Sequence, residues 1–482
     1  MLFNSLQFCI FFPVVTALYF LTPSKSRWML LLVASCLFYM AFIPRYLLIL
    51  FFLIGLDFTA GIVLENSKSA STRRLVLVCS LVANIATLGV FKYYNFFAQD
   101  INTLLDTFHL QWALAPLAVI LPIGLSFHTF QSMAYTIEVY RGNWPAERHL
   151  GIYALYVLFY PQLVAGPIER PSGLLPQLHA TQRFDLARIA DGLALMLWGF
   201  VKKVVIADRL ALYVNKVYGD PVHASTAWLL IATYLFAFQI YCDFSGYSDI
   251  AIGAAQVMGI RLMDNFNRPY AARSVAEFWK RWHISLSSWF RDYLYIPLGG
   301  NRKGRAWWCA NILIVFVVSG LWHGAAWKYI IWGALHGAYL LFGYFSRPWR
   351  ESVARFARLA DHGRVRSMLQ VLITFHLVLV AWVFFRASSA HDAAYILGRF
   401  VNGSLISEHV LLGTLLTSDV LGCAALIGIL ELVHWLERHK DMRHQLRAKS
   451  VTIRWAYYYA LVMLLLNFGM FTNPSEFIYF QF

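Results

Sequence analysis

The sequence predicts an all-α polytopic membrane protein with about eleven or twelve transmembrane or re-entrant helices, and three observations predict it. Of 482 residues 59% are hydrophobic and only 13% are charged, about half the charged fraction of an ordinary soluble domain. Aromatic residues reach 17%, with 17 tryptophans, the residue type that collects at membrane interfaces. Apolar stretches long enough to cross a bilayer recur from the first residues to near the last. A disordered, fibrous or secreted disulfide-rich protein is excluded. The six cysteines lie scattered, mostly inside apolar runs, and no C-x-x-C pair is present, so neither a disulfide framework nor a zinc knuckle is expected.

In chain order the apolar runs place helices at 5–22, 28–44, 46–64, 75–97, 114–140, 151–168, 190–207, 226–260, 307–346 (a hairpin), 370–386, 408–436 and 455–471. The first is read as a retained span, because Lys25 and Arg27 follow the apolar stretch instead of preceding it and no small-residue cleavage site closes it. The 151–168 run meets Pro161 and Gly166-Pro167, and 190–207 carries Lys202 and Lys203, so both are candidates for re-entrant or interfacial segments. No repeat, low-complexity tract or long polar linker interrupts the pattern. A single integral membrane domain over 1–482 is expected, with a motif-rich core at about 120–346 and an external aromatic tail at 472–482.

The formal net charge of +15 has its ordinary cause in topology. Nine Lys/Arg against three Asp/Glu fall in 261–305, six against two in 347–366, and six against one in 438–454, so these blocks are assigned to the cytoplasm. The loop 98–113 has Asp100 and Asp106 with no Lys or Arg, and 387–407 has Arg399 as its one basic residue. Both chain ends then come out on the external side. The basic blocks sit at span ends among Trp and Phe, with no nucleic-acid-binding motif, and nucleic acid is excluded as a partner.

Chemistry concentrates in a few places. Ser274-Val275-Ala276-Glu277 fits a capping box, predicting a helix from Val275. Phe278, Trp279, Trp282, Leu286, Trp289 and Phe290 then recur at helical spacing, opposite Glu277, Lys280, Arg281 and Arg291, the pattern of a helix lying in the cytoplasmic interface. His283 sits at the margin of that stripe, where an interfacial histidine with a hydrogen-bond partner is the plain alternative to a functional one. Gly299-Gly300-Asn301-Arg302-Lys303-Gly304-Arg305 matches no nucleotide-binding spacing, but its amides and the cations Arg302, Lys303 and Arg305 could hold an anionic cofactor such as the phosphates of coenzyme A. A turn in a basic cytoplasmic loop explains it equally well.

His323, in Ser319-Gly320-Leu321-Trp322-His323-Gly324, falls in the middle of the apolar hairpin, and an ionisable residue at membrane depth is a functional candidate by default. Neutral imidazole is cheap to bury and takes a proton near neutral pH, as a buried general base must. His336 is a second buried histidine thirteen residues on, off a common helical face and without a carboxylate helper, so no metal site is expected. Asp243, Ser245, Tyr247 and Asp249 put two carboxylates and two hydroxyls inside a span, where they are expected to line a cavity; structural pairing with a buried Arg or with helix ends is the commoner reading, and glycosidase-like acid-base work by Asp243 and Asp249 the alternative. The final Phe477-Ile478-Tyr479-Phe480-Gln481-Phe482 reads as an interfacial anchor, or as a movable end whose Tyr479 hydroxyl could carry an acyl group.

These residues resemble the membrane-bound O-acyltransferase family, in its bacterial branch that acetylates alginate, cellulose and peptidoglycan. The likeness is carried by Gly166-Pro167-Ile168-Glu169-Arg170-Pro171, the run Asp243 to Asp249, Asn265-Phe266-Asn267-Arg268-Pro269-Tyr270, Glu277 through Ile296, Gly299 to Gly304, and Leu321-Trp322-His323-Gly324, in that order. The resemblance implies a helical core thinned in the middle, with a central tunnel bordered by the run from Asp243, Trp322 and His336. It implies His323 as the essential histidine, with His283 as its partner at the cytoplasmic mouth. The donor it implies is acetyl-CoA, entering as a substrate near Arg281 and the basic loop, with no tightly bound cofactor. The acetyl group would end on a periplasmic polysaccharide through an SGNH-hydrolase-like partner, in the inner membrane. Phe477, Tyr479 and Phe482 are similar to the family's F-x-Y-x-x-F tail, which implies Tyr479 as acyl carrier. A transporter or flippase, a non-catalytic scaffold and a D-alanyl-transferring relative are the other readings; the first predicts inverted repeats, which the sequence does not display.

Overall fold

The computed structural model describes the whole chain except residues 165, 358–361, 403–412, 414, 416, 438–448, 472–475, 481–482 and the Phe480 side chain. Part of each of the basic blocks 347–366 and 438–454, part of the loop 387–407, and Phe482 of the tail motif therefore lie outside the described residues. Among the described residues all regular structure is helical. Seven helices are long and apolar enough to cross a membrane: Pro44–Asn66, Ala70–Thr107, Thr226–Met258, Arg305–His323, Gly363–Arg386, Ser418–Leu436 and Val451–Phe468. The chain is a multi-pass membrane protein. The other apolar runs form Leu6–Leu21, Arg27–Met40, Leu125–Arg141, Leu150–Leu158, Leu186–Phe200 and Trp327–Phe345.

The chain divides into two compact units, Met1–Met196 with Ser248–Met263, and Leu197–Tyr247 with Asp264–Phe482. In the first, Leu47–Asn66 and Ala70–Leu88 pack with Leu125–Arg141. Asp57 is fully buried there, and Ser80 Oγ and Asn84 Nδ2 donate to its carboxylate at 2.6 and 2.9 Å. The run expected to span from 114 to 140 is helical only from Leu125. Pro116 and Pro122 remove helix donors from its first half. That stretch is instead held extended: Leu114 and Leu117 each exchange both main-chain bonds with an asparagine side chain, Asn102 and Asn95, at 2.8 to 3.0 Å. The run 151–168 breaks after Leu150–Leu158, whose 9 residues rise about 14 Å, under half the thickness of a hydrocarbon core. Its residues from Ile152 onward are buried, where broken backbone is tolerated, as the prolines and glycine implied.

The second unit has an aromatic core around the fully buried Trp282, Trp332 and Trp382. The stripe expected at the membrane interface belongs to this core. The helix does begin at Val275, with Ser274 Oγ accepting from Glu277 N, but it stops at Trp279. Left-handed His283 (φ 44°) then starts a separate helix, Ile284–Phe290. Phe278, Trp282, Leu286, Trp289 and Phe290 are all at most 4% exposed. Helical spacing of apolar residues reports a buried face without saying what buries it, and here protein takes the place assigned to headgroups.

Candidate active site

The predicted hairpin is Arg305–His323 and Trp327–Phe345. Two glycines bring its helices into backbone contact: a Cβ on Gly320 would run into the Tyr329 carbonyl oxygen, and one on Gly333 into that of Phe316. This contact fixes where the first helix ends, and its last residue is His323, 2% exposed. The imidazole lies among rings, with centroids 4.9 Å from Trp322, 4.9 Å from Trp332, 5.5 Å from Phe385 and 5.6 Å from Tyr479. The space left by Gly324 is taken by the Tyr329 ring, so that glycine serves packing.

His283 is fully buried, with Nδ1 at 3.1 Å from Asn265 Oδ1. The same Asn265 atom accepts the Ser285 main-chain N–H at 3.2 Å and lies 3.0 Å from Ser285 Oγ. A main-chain N–H can only donate, so that atom is the amide oxygen; His283 therefore carries its proton on Nδ1 and leaves Nε2 as an acceptor. Burial pushes this imidazole down to about 3, so it is neutral at physiological pH. The ring sits edge-on to Phe244 at 4.7 Å, with Trp322 at 6.1 Å and Tyr479 at 6.3 Å. Asn265→Leu is expected to cost about 1–3 kcal/mol of stability, read as a lower melting temperature in detergent, because it strips the acceptor from three buried donors at once.

The C-terminal segment completes the site. Phe477 and Ile478 are 2% exposed and Tyr479 is partly buried, so these residues are not a surface anchor. Phe477 stacks on Tyr247 at 4.6 Å, and Tyr479 packs on Phe244 at 4.5 Å. Asp243 Oδ2 accepts the Ile478 N–H at 2.7 Å, and its Oδ1 pairs with Lys203 Nζ at 2.6 Å. Lys203 also pairs with Asp208 at 2.8 Å, and Lys202 Nζ donates to Ser245 Oγ at 3.0 Å. The two lysines that cast doubt on a span at 190–207 thus answer Asp243 and Ser245 of the long helix Thr226–Met258, from the π-helical turn Val201–Ala207.

A cavity of about 850 Å³ opens in the same unit, lined by Arg268, Arg273, Arg281 and Arg364 together with Glu431 and His434. Rings lead from its Tyr270 wall to His323: Tyr270 to Trp282 at 6.2 Å, Trp282 to Trp382 at 5.0 Å, Trp382 to Trp332 at 5.9 Å, Trp332 to His323 at 4.9 Å. Arg281 is brought to the cavity with Glu277 paired to it at 2.7 Å. Arg302, Lys303 and Arg305 are not; they are exposed on the glycine loop, whose Gly299, Gly300 and Arg302 amides already bond to carbonyls of the same loop and its approach.

His336 is fully buried and accepts from Trp279 Nε1 at 3.2 Å, in an aromatic cluster where the Trp332 ring adjoins both it and His323. Asp249 lies six residues beyond Asp243 on the same helix, about 9 Å along its axis. Asn265, Phe244, Trp332, Lys203, Arg268, Arg273 and Arg364 were not singled out as site residues from sequence. Lys203 carried a signal, a charge inside an apolar run, that was read as evidence against a span rather than for a partner.

Residues 149–390 match the model of MBOAT, the membrane-bound O-acyltransferase family. Among curated relatives, the chain is 40% identical over 400 residues to the probable alginate O-acetylase AlgI of Pseudomonas aeruginosa, covering 82% of this chain and 73% of that one. It is 36% identical over 441 residues to the peptidoglycan O-acetyltransferase of Helicobacter pylori, covering 83% and 80%. The teichoic acid D-alanyltransferase of Bacillus subtilis is more distant, 27% identical over 278 residues, 56% of this chain and 69% of that one. Both histidines of the site fall inside the matched segment, and the chain belongs to the membrane-bound O-acyltransferase family and is an acyltransferase.

Proposed function

We propose that this enzyme is an O-acetyltransferase that takes acetyl from cytoplasmic acetyl-CoA onto Tyr479, with His323 as base. It passes the group to a periplasmic or exported polysaccharide of the alginate, peptidoglycan or cellulose type, through an SGNH-hydrolase-like partner. The names of the more similar relatives support acetyl over D-alanyl and a polysaccharide over other acceptors. The observation that carries the mechanism is the Tyr479 ring, 5.6 Å from that of His323 and 6.3 Å from that of His283.

Burial, with the Tyr329 phenol adding to it, raises the Tyr479 hydroxyl well above its ordinary range, so the phenolate does not form unaided and a base is required. The phenol oxygen attacks the thioester carbonyl as its proton passes to His323. The C–O bond forms, the C–S bond breaks, and the proton goes on to the departing thiolate, leaving acetyl-Tyr479 and free coenzyme A. A sugar hydroxyl, or a serine of the partner, then displaces the phenol oxygen. A phenol is nearly as acidic as a thiol and far more so than a sugar hydroxyl, so the tyrosyl ester stays activated for that second step. His283, protonated on Nδ1, serves as an acceptor that orients the phenol. The buried Trp332 Nε1–H, without a hydrogen-bond partner among the described residues, is a donor for the oxyanion.

The arginine-lined cavity suits the phosphates of the donor, since guanidinium forks match phosphate oxygens and the volume lies within the range of ligand pockets. Its arginines come from two of the basic blocks that charge assigns to the cytoplasm, which supports a donor entering from that side of an inner membrane, with the chain ends in the periplasm. Arg273→Gln and Arg364→Gln are each expected to raise the KM for acetyl-CoA about tenfold with kcat little changed, in steady-state assays.

The test of the whole reading is purified protein in nanodiscs, radiolabelled acetyl-CoA and mass spectrometry of the C-terminal peptide. Label is expected on Tyr479 in the wild type and absent in Tyr479→Phe. Consumption of acetyl-CoA only with partner and glycan, with no label at Tyr479, would refute the tyrosyl carrier; no consumption under any condition would refute the donor.

A further inference from the structure

We propose that Asp243, braced by Lys203, is a positioning residue that docks the C-terminal segment in register beside His323, by gripping its main chain. The inference rests on the reading of Tyr479 as acyl carrier. The contact is made to the Ile478 N–H, at 2.7 Å, by a carboxylate whose other oxygen is 2.6 Å from Lys203 Nζ. Asp243, Lys203 and Asp208 are each at most 3% exposed. A charge-assisted bond in such surroundings is strong, and being made to backbone it sets the position of the chain whatever side chain stands at 478. Tyr479 is the next residue. Phe244, the next residue of the helix Thr226–Met258, and Tyr247, one turn on from Asp243, receive Tyr479 and Phe477, so one stretch of helix supplies the polar grip and the two ring sockets.

The brace has its own design. Lys203 stands in the π-helical turn Val201–Ala207, and that turn also meets the chain leading to the tail: Val204 O accepts the Met470 N–H at 3.1 Å, while Arg209, just beyond the turn, donates from Nη2 to Phe468 O at 3.0 Å. Single π turns inside helices recur at functional sites because they redirect carbonyls and side chains. Gly246 lets the long helix lie against this turn, since a Cβ there would fall 2.7 Å from the Gly199 carbonyl oxygen and 3.0 Å from the Lys203 amide. Lys203 pairs with both Asp243 and Asp208, and neither pairing involves the tail, so Asp243 keeps its cation when the tail leaves for an acceptor and when it returns.

The experiment measures amide hydrogen exchange at Ile478 in the full chain in nanodiscs, beside the rate of acetyl labelling of Tyr479. Asp243→Ala is expected to speed exchange at Ile478 about ten- to hundredfold while amides of the hairpin helices keep their rates. Ile478→Pro removes the donor, at the first position of a helical turn where proline fits, and leaves the ion cluster in place; it also trims a buried side chain, a loss that Ile478→Val controls for. Its Tyr479 labelling is expected to slow at least about tenfold relative to Ile478→Val, at an unchanged melting temperature. Unchanged exchange at Ile478 in Asp243→Ala, or equal labelling in the proline and valine variants, would overturn the proposal. Protected Ile478 in a wild type that never labels would instead refute the carrier reading and leave the docking contact standing.

Discussion

Replacing His323 with phenylalanine is expected to slow acetylation of Tyr479 by about 10²- to 10⁴-fold, the usual contribution of a positioned general base. Phenylalanine is the informative choice because the imidazole is one ring among Trp322, Trp332, Phe385 and Tyr479, and an alanine would leave a cavity costing several kcal/mol that alone could displace the tail. A ring of similar volume keeps the packing and removes only the lone pair and the proton. Acetyl-CoA binding should survive, since the arginine-lined cavity stands apart from the histidine along a path of four aromatic rings. Single-turnover labelling in nanodiscs, with a thermal melt of the same sample, separates chemistry from folding. A His323→Phe protein that labels within threefold of wild type would remove His323 from the proton path and leave His283 Nε2 as the base. His283→Gln is the companion variant, with a smaller loss expected, because an acceptor that only orients the phenol contributes less than the group that takes its proton.

The sequence carried the membrane character, the hairpin and the isolated histidine within it, because each depends on composition or on apolar run length, which survive any tertiary arrangement. His323 was legible for the same reason: in an apolar hairpin whose only other charged or imidazole side chains are Lys328 and His336, it is conspicuous. The stripe from Phe278 to Phe290 was legible as a buried face and misassigned as an interfacial one, since lipid and protein interior ask for the same side chains. The break at His283 lies in a positive φ on a non-glycine residue, held by Asn265 eighteen positions earlier, and local patterning has no access to such a partner. The same holds for Lys203 and Asp243, forty residues apart: each looked like a charge that should not be in an apolar run, and only their meeting explains both. From sequence the glycine loop, where cations and glycines are adjacent, was a candidate for an anion and equally for a plain basic turn. The cavity collects arginines from two separate basic blocks, which no local run of sequence displays, and Gly299, Gly300 and Gly304 of the loop are all at positive φ, as its turns require.

Opposite outcomes are expected from one substitution made at two glycines of one helix. Gly333→Ala should lower stability by about 3 kcal/mol, at the upper end for an overpacked contact, because the new methyl meets the Phe316 carbonyl oxygen and the Gly320 Cα, and neither is a flexible side chain that can move aside. Gly343→Ala, ten residues on in Trp327–Phe345, meets nothing within 4 Å and should raise stability by about 0.5–1 kcal/mol through the lower backbone entropy of its unfolded chain. Melting temperatures in one detergent suffice to measure both. The pair also tests the site, since the hairpin contact determines where His323 stands. Wedging the helices apart at Gly333 moves the imidazole against a tail that is anchored elsewhere, on Asp243 and the turn around Val204. A shift of about 1 Å between reacting groups can cost 10²-fold in rate, so labelling of Tyr479 in the folded fraction of Gly333→Ala should fall by far more than the folded fraction itself. A Gly333→Ala protein as stable as Gly343→Ala would mean that the two helices do not touch through their backbones, and the placement of His323 against Tyr479 would lose its support.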